Sequence, residues 1–470
     1  MNEHQKGVAG IAASVRSGDI SATDLINQCL GNIGLKNKRV NAFTMTLEQR
    51  AQEKASQVDQ EIKRGMDPGP LAGVPFAVKN LFDVEGVITR AGAKITETDF
   101  PAGADATLVA RLESAGAVLV GALNMGEFAY DFTGENIHDG ACRNPWDTDR
   151  MAGGSSSGSG SALAAGLVPL TLGTDTNGSI RVPSSFCGTM GLKPTYGRLP
   201  RTGIYPFCDS LDHVGPMARS VTDLALVYDV LQGFCAGDHA CVNRPVQPVG
   251  ELQCDISRLS IGMAKGYFHV DGFDAANRIM RSASAALSTL GAKVEDVEVP
   301  LVREGRSAAF LITNAESSAL HRQRLLERAD DFDPDTRDRF LAGSLLPAGW
   351  YVRAQALRQL YATKVAELFR EIDVLIAPAT PCYAPEIGSK ILKVGGEALP
   401  LRPNLGYFTQ PFSCIGLPVC SVSVVDSGAL PMGIQVVAAA WREDRCLAVA
   451  AALEQAGFAG AEIAPEFIEH

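Results

Sequence analysis

The sequence lacks the features that mark several large classes of protein. It has no excess of basic residues, because 53 acidic residues outnumber 42 lysines and arginines and the net charge is −11. Nucleic acids and anionic membrane surfaces are bound through basic patches, so this balance argues against both as partners. No apolar run approaches the roughly 18 residues that predict a membrane-spanning helix. We therefore expect a protein with neither a nucleic-acid nor a membrane partner.

The cysteines lack the spacing of a metal site or of a redox motif. There are 11 of them, an odd number, with no Cys-x-x-Cys pair. We expect reduced, buried thiols in a cytoplasmic protein, with no metal ion and no cofactor. The N-terminal run Val8–Val15 is rich in small residues and ends at Arg16, so it does not predict a signal peptide.

The chain does have the material and the rhythm of a large α/β domain. Its 470 residues are 46% hydrophobic, which is ample for a core. Short apolar runs alternate with a helical pattern: Leu71–Asn80, Ala117–Leu123 and Leu167–Leu172 predict strands, and Thr107–Gly116 predicts a helix. This order is typical of α/β proteins, and no linker composition or repeat divides the chain.

Residues 153–183 are rich in serine and glycine and contain two turns around a small-residue helix and an apolar strand. The second turn places Ser179 among small residues, which allow successive backbone N–H groups to converge. A hydroxyl beside such donors suits acyl transfer, which needs a nucleophile and an oxyanion site. Taken alone, however, the Asn177-Gly178 pair is more typical of a plain hairpin turn with a solvated serine.

The first turn offers a second candidate nucleophile. Residues 154–158 fit the G-x-S-x-G elbow, which would make Ser156 the nucleophile of a Ser-His-Asp hydrolase. That mechanism needs an acid and a histidine further along the chain. None of the histidines that follow has a persuasive setting: His213, His239, His269, His321 and His470.

Lys79 ends the predicted strand Leu71–Asn80. A lysine in this position commonly reaches solvent. If it is buried instead, burial disfavours the ammonium and lowers its pKa, and a neutral lysine can act as a base without histidine.

Together these residues resemble the amidase signature family, whose members use a Ser-Ser-Lys triad. The similarity extends over nearly the whole chain and rests on ordered motifs: Gly73-Val74-Pro75 before Lys79, Asn144-Pro145-Trp146, Gly153-Gly154-Ser155-Ser156, Gly173-Thr174-Asp175 before Ser179-Ile180-Arg181, Cys187-Gly188, residues 191–195, residues 211–216, Gly416-Leu417-Pro418 and residues 430–435.

The resemblance implies a role for each matched position. Ser179 is the nucleophile, Ser155 relays its proton, helped by a cis peptide bond, and Lys79 is the base. The backbone N–H groups of residues 176–179 (Thr176, Asn177, Gly178 and Ser179) form the oxyanion hole. Asp175 and Arg181 support the turn and the surroundings of the lysine. Under this interpretation Ser156 is not the nucleophile.

The resemblance also implies the architecture: a single domain over residues 1–470 with a mixed central sheet covered by helices on both faces. We expect an N-terminal helical region in 1–65, a catalytic core in 71–235, a more variable α/β portion in 250–400, and C-terminal core strands and a helix in 401–470. The sequence departs from the family pattern at Asn177, where Gly or Ala is usual, and at Ser157, where Gly is usual. We expect the Asn177 side chain either to narrow the pocket or to impose a special backbone angle.

Within the family, the sequence is most similar to the 1-carboxybiuret hydrolase branch, which is related to the glutamine-hydrolysing component of the tRNA-dependent amidotransferase. The similarity rests on residues 128–130, 132–140, 174–179 and 209–213. It implies hydrolysis of a small ureide or biuret-like amide with release of ammonia, a possible small accessory subunit, and a homodimer or heterotetramer. The alternatives are a glutamine-hydrolysing amidotransferase component, a general small-amide amidase and a scaffold without catalysis.

An anionic substrate needs a positive or amide-lined pocket. Four polar residues are candidates for this role, although each is also typical of an ordinary loop or surface position: Asn136, His138, Arg143 and Arg201.

Overall fold

The computed structural model describes residues 6–250, 252, 255–394, 396–424 and 430–468. Within these ranges the α-helices are, in chain order, α1 Val8–Ser17, α2 Ala22–Val40, α3 Glu48–Lys63, α4 Thr107–Ser114, α5 Ser157–Ala164, α6 Arg181–Cys187, α7 Val221–Leu231, α8 Asp274–Thr289, α9 Val302–Arg328, α10 Pro334–Ser344, α11 Ala348–Leu368, α12 Leu401–Leu405, α13 Gln410–Cys414 and α14 Glu443–Gln455.

The strands are β1 Phe43–Thr46, β2 Pro75–Lys79, β3 Val118–Leu123, β4 Arg143–Asn144, β5 Asp147–Met151, β6 Leu170–Asp175, β7 Met190–Lys193, β8 His213–Ala218, β9 Ser260–Ala264, β10 Lys293–Val297, β11 Val374–Pro378, β12 Ile391–Val394, β13 Glu397–Pro400, β14 Val419–Val424 and β15 Met432–Ala438.

Across the described ranges, an eleven-stranded sheet forms the centre of the fold, in the order β1-β3-β2-β6-β8-β7-β14-β15-β11-β9-β10. Neighbours are parallel from β3 through β2 to β6 and from β11 through β9 to β10, and antiparallel elsewhere. Every residue of β6 is buried, as expected for a central strand with helices on both sides. The predicted single α/β domain with a mixed, helix-covered sheet is confirmed.

The N-terminal region begins with α1 and α2. The Ser21 side chain accepts a hydrogen bond from the backbone N–H of Asp24 and caps α2. The region is not wholly helical, however, because β1 lies between α2 and α3 and pairs antiparallel with β3 at the edge of the sheet. β1 is only four residues long, which is too short for a periodic pattern to reveal.

The sheet brings the ends of β2 and β6 together. These strands are parallel neighbours in which Val78 lies opposite Leu172. Parallel strands end at the same edge of a sheet, so Lys79 at the end of β2 lies beside Thr174 and Asp175 at the end of β6. Among the helices described, none combines the length and the apolar character that crossing a membrane requires.

Candidate active site

Lys79 is completely buried at the end of β2. Its Nζ donates hydrogen bonds to Ser155 Oγ and to Thr174 Oγ1, each at 2.7 Å. The two hydroxyls belong to different segments, one just before α5 and the other in β6. The lysine therefore joins the two turns that the sequence singled out.

Burial lowers the pKa of Lys79 from 10.5 to about 7. The negative charges of Asp212, Asp175 and Asp131 act in the opposite direction, with Asp212 contributing most, but they do not cancel the effect. A large fraction of the lysine is therefore neutral near neutral pH. In that state its nitrogen carries a lone pair that can accept a proton from the Ser155 hydroxyl.

Neighbouring serines in the first turn make different contacts. The peptide bond between Gly154 and Ser155 is cis, and the Ser155 hydroxyl contacts Lys79. The Ser156 hydroxyl instead donates to the carbonyl of Thr174 at 3.1 Å and accepts from the N–H of Thr174 at 3.2 Å. Because Ser156 is fully buried and bound to backbone, it has the contacts of a structural residue rather than those of an elbow nucleophile.

The second turn runs from β6 into α6 and carries Ser179. Its backbone depends on Gly178, which has φ +141° and whose missing Cβ would lie 2.2 Å from Thr409 Oγ1. A side chain at that position would therefore be strained and would also collide with Thr409. Among the described residues, the backbone N–H groups of Asn177, Gly178 and Ser179 donate to no protein acceptor. Such free donors beside a serine are what an oxyanion site requires.

The turn is held by a buried ion pair. Arg181 binds Asp175 through two hydrogen bonds, Nη2 to Oδ1 at 2.8 Å and Nε to Oδ2 at 2.9 Å, and neither side chain is exposed. Asp175 Oδ2 also accepts from the N–H of Ile180 at 3.2 Å, which closes the loop around Ser179. Burial acts to raise the pKa of Asp175, but the interactions with Arg181 outweigh burial and hold this pKa below its ordinary value.

Ser179 lines a cavity of about 220 Å³, large enough for a small molecule. The wall includes Asn177, Thr313 and two arginines, Arg339 of α10 and Arg402 of α12. Arg339 Nη2 and Arg402 Nε are buried and lack a protein hydrogen-bond partner among the described residues. The Nη atoms of Arg402 also lie 3.4–3.5 Å from carboxylate oxygens of Asp131, Glu135 and Asp335. These three acidic groups partly offset its positive charge. The cavity thus contains a nucleophile-type hydroxyl together with cationic donors.

Of the two expectations for Asn177, a side chain in the pocket or a special backbone angle, the structure agrees with the first. Its side chain lines the cavity, and the left-handed backbone angle belongs to Gly178 instead. Its Nδ2 donates to Thr313 Oγ1 of α9 at 2.8 Å. The Asn177 side chain is therefore part of the cavity wall. Ser157 donates to the carbonyl of Asn124 in the interior and does not reach the cavity wall.

The candidates proposed for anion binding do not meet at this cavity. Asn136 donates to the carbonyls of Gly92 and Met125, and His138 lies 2.9 Å from Glu127. Arg143 donates to the carbonyl of Thr148 at 2.7 Å. All three serve local structure, and the cavity wall in the described chain does not include them.

Arg201 lies at a neighbouring cavity of about 280 Å³, whose wall also includes Thr174, Thr176 and His213. Asp238 and Asp209 pair with Arg201 there. His213 Nδ1 lies 2.6 Å from the carbonyl of Leu211, and burial lowers the pKa of His213 well below its ordinary value. The structure thus leaves Arg201 and His213 outside the cavity wall around Ser179.

Some residues of the site have no counterpart in the sequence predictions. Thr174 lies within a recognised motif, so its side chain could have been considered there. Arg339, Arg402 and Thr313 lie outside every motif, and no spacing connects them to Ser179. Among the described residues, no cluster of three or more His, Cys, Asp or Glu side chains is arranged to hold a metal ion.

Comparison with known proteins gives a consistent picture. A family model described as Amidase matches residues 24–447. The chain is 49% identical to AtzE, a component of 1-carboxybiuret hydrolase from Pseudomonas sp. (strain ADP), over 452 residues, which is 96% of this chain and 98% of that protein. It is 35% identical to a component of glutamyl-tRNA(Gln) amidotransferase from Methylococcus capsulatus over 480 residues, covering 96% of this chain and 97% of that one.

A similar solved structure, described as a vestigial protein complex that reveals the evolutionary origins of an s-triazine catabolic enzyme, has a TM-score of 0.94. The two chains are 48% identical, and the match covers 97% of this chain and all of the other.

Proposed function

The chain belongs to the amidase signature family of hydrolases that act on amide C–N bonds, and from this premise we propose that it cleaves a small anionic ureide, with 1-carboxybiuret as the best candidate, through Ser179, Ser155 and Lys79. The observation that carries the proposal is the buried Lys79, whose Nζ donates at 2.7 Å to Ser155 Oγ and to Thr174 Oγ1, in the strand that leads to Ser179 on the cavity wall.

In the proposed reaction, neutral Lys79 takes the proton of Ser155 while Ser155 takes the proton of Ser179. The Ser179 oxygen attacks the substrate carbonyl, and the resulting oxyanion is bound by backbone N–H groups of residues 176–179. As the C–N bond breaks, the proton returns from Lys79 through Ser155 to the leaving nitrogen, and ammonia departs. Water then cleaves the acyl-enzyme by the same relay, which frees Ser179.

The preference for an anionic substrate is supported by the arginines of the cavity. Arg339 Nη2 and Arg402 Nε need acceptors that the described protein does not supply. A substrate carboxylate provides such acceptors, and charge-assisted hydrogen bonds of this kind are roughly twice as strong as neutral ones. The 49% identity to a component of 1-carboxybiuret hydrolase favours a carboxylated ureide over other small anionic amides.

Ammonia release by the purified protein tests the proposal, with 1-carboxybiuret, biuret, glutamine and simple aliphatic amides as substrates. We expect the carboxylated ureide to give the highest kcat/KM. Preferential release from glutamine would favour the alternative, a glutamine-hydrolysing component, which the identity of 35% to an amidotransferase component keeps in view. No release from any of these substrates, with a co-expressed small partner protein present, would contradict both.

We also propose that the chain works with a small accessory subunit, as a homodimer or a heterotetramer, in the cytoplasm. Support for a partner comes from the similar solved structure, which is described as a protein complex. The free thiols of the ten described cysteines are consistent with a reducing compartment. Co-expression with neighbouring small open reading frames, followed by size-exclusion chromatography with light scattering, measures the assembly directly.

A further inference from the structure

The Asn177 side chain has one polar atom satisfied and one unsatisfied. Its Nδ2 donates to Thr313 Oγ1 at 2.8 Å, whereas Oδ1 is buried and has no hydrogen-bond partner among the described residues. Asn177 is 8% exposed and lines the cavity beside Ser179. An acceptor left in this state is costly, because a buried polar group without a partner has lost its hydrogen bonds to water and gained none in return.

Thr313 fixes which end of the amide is left free. Its hydroxyl oxygen accepts a hydrogen bond from Asn177 Nδ2 at 2.8 Å, whereas Asn177 Oδ1 has no partner among the described residues. The carbonyl oxygen of Asn177 is therefore the end that needs a donor, and the remaining source of a donor is the molecule that occupies the cavity.

The groups beside Asn177 restrict which part of a bound molecule can supply that hydrogen-bond donor. Asn177 is two residues from Ser179, and the turn between them supplies the free backbone N–H groups that would hold the carbonyl oxygen of the substrate. A donor that reaches Asn177 therefore lies close to the scissile carbonyl. In a ureide, an N–H adjoins that carbonyl on the side away from the leaving nitrogen. In an ordinary carboxamide, the same position holds a CH2 group.

We propose that Asn177 Oδ1 accepts a hydrogen bond from the N–H that adjoins the scissile carbonyl, and that Asn177 thereby makes the enzyme selective for ureides over carbon-linked amides. This inference rests on the proposed function and specifies its substrate class. A site built to accept such a hydrogen bond discriminates strongly against an analogue without the donor, because the protein acceptor is then left unpaired. Gly or Ala at this position offers no such acceptor.

Two stable compounds test the contribution of this N–H group alone. Ureidoacetate and succinamate have the same charge, the same length and the same terminal carboxamide, and they differ by an N–H in place of a CH2. Their dissociation constants are measured by calorimetry on the full-length Ser179→Ala protein, which binds without turnover. We expect ureidoacetate to bind about tenfold tighter, which corresponds to one neutral hydrogen bond of about 1.4 kcal/mol.

The matched variant is Asn177→Ala combined with Ser179→Ala, for which we expect the ratio of the two dissociation constants to fall to about one. Thr313→Val, which frees the asparagine amide to rotate, should also lower the ratio, while Thr313→Ser keeps the hydroxyl and should preserve it. Thermal melts of each variant confirm that the fold is intact.

An equal preference for ureidoacetate with and without Asn177, or no binding of ureidoacetate to the Ser179→Ala protein, would overturn the inference. Selective binding together with no ammonia release from any ureide would instead refute the proposed reaction and leave the role of Asn177 standing. The two failures are therefore distinguishable.

Discussion

The pH dependence of turnover tests the role proposed for Lys79. The pKa of this lysine is lowered by burial from 10.5 to about 7. Because the neutral form is the base, activity should rise with pH as the lysine loses its proton, and it should level off once deprotonation is complete. The quantity to measure is kcat/KM on the acid side of the pH profile, because it reports the pKa values of groups in the free enzyme.

The expected change in rate follows from comparing the lowered pKa of Lys79, about 7, with its ordinary pKa of 10.5. With a pKa of about 7, the neutral fraction rises from about one tenth at pH 6 to about nine tenths at pH 8, a change of about tenfold that ends in a plateau. With the ordinary pKa, the neutral fraction at pH 8 would be only about 0.3%, and the rate would climb about a hundredfold over the same interval without levelling. The two cases differ clearly in both slope and shape.

The assay is initial-rate ammonia release at several pH values with a substrate that does not titrate between about pH 6 and 9. Lys193 is the main control, because burial lowers the pKa of this second buried lysine to about 7 as well. The pH profile of Lys193→Met should keep the rise and plateau of the unmodified enzyme. Asp212→Asn should move the rise to lower pH, since Asp212 makes the largest charge contribution that raises the pKa of Lys79.

Two results would refute the reasoning about Lys79. The first is a profile that rises without a plateau, which would mean that the lysine is not shifted or is not the base. The second is a pH profile that loses its plateau in His213→Ala while Lys79→Ala keeps its activity, which would favour a histidine-based hydrolase. We expect the opposite: Lys79→Ala loses most activity, and His213→Ala does not.

Further substitutions test the remaining parts of the site. Ser179→Ala should abolish ammonia release without changing the thermal midpoint, whereas Ser156→Ala should retain turnover and lose about 1 kcal/mol of stability in denaturant titrations, because its hydroxyl binds only backbone. Arg339→Met should lower kcat/KM for an anionic ureide by about 10- to 100-fold, mainly through KM, and leave a neutral amide nearly unaffected; equal losses for both would contradict anion binding. Arg181→Met should lower the free energy of unfolding by about 3–5 kcal/mol, because it leaves a buried carboxylate without its partner, and an unchanged denaturation midpoint would exclude this role.

The sequence pointed to its candidate catalytic residues through local motifs. Lys79 is the last residue of β2, Ser155 and Ser179 lie in turns that precede helices, and each position belongs to a motif that can be recognised locally. The residues alone left the burial of Lys79 open, because a lysine at the end of an apolar strand commonly reaches solvent. What the residues alone could not decide was whether Ser155 or Ser156 faces the lysine, because adjacent serines differ only in the direction of their side chains.

The short elements of the sheet were harder to predict. β1 falls inside a region predicted as helical, and β8, which begins at His213, is not among the predicted strands. Both strands are defined by their hydrogen bonds to neighbours far along the chain rather than by their own composition. For the same reason, the sequence left open which strands are parallel, and this arrangement is what places the end of β2 beside the end of β6.

By itself, then, the sequence determined the family and the α/β class, and it proposed Lys79, Ser155 and Ser179 as the catalytic residues, because these inferences depend on local motifs and on hydrophobic patterning. Only the tertiary structure decided which side chains complete the cavity. Arg339 and Arg402 line the cavity, whose wall does not include the four anion-binding candidates chosen from the sequence, and Thr313 accepts a hydrogen bond from the amide of Asn177. These residues lie on α9, α10 and α12, more than a hundred positions beyond Ser179. Their approach to Ser179 depends on how those helices pack against the sheet, a non-local property that no spacing in the chain encodes.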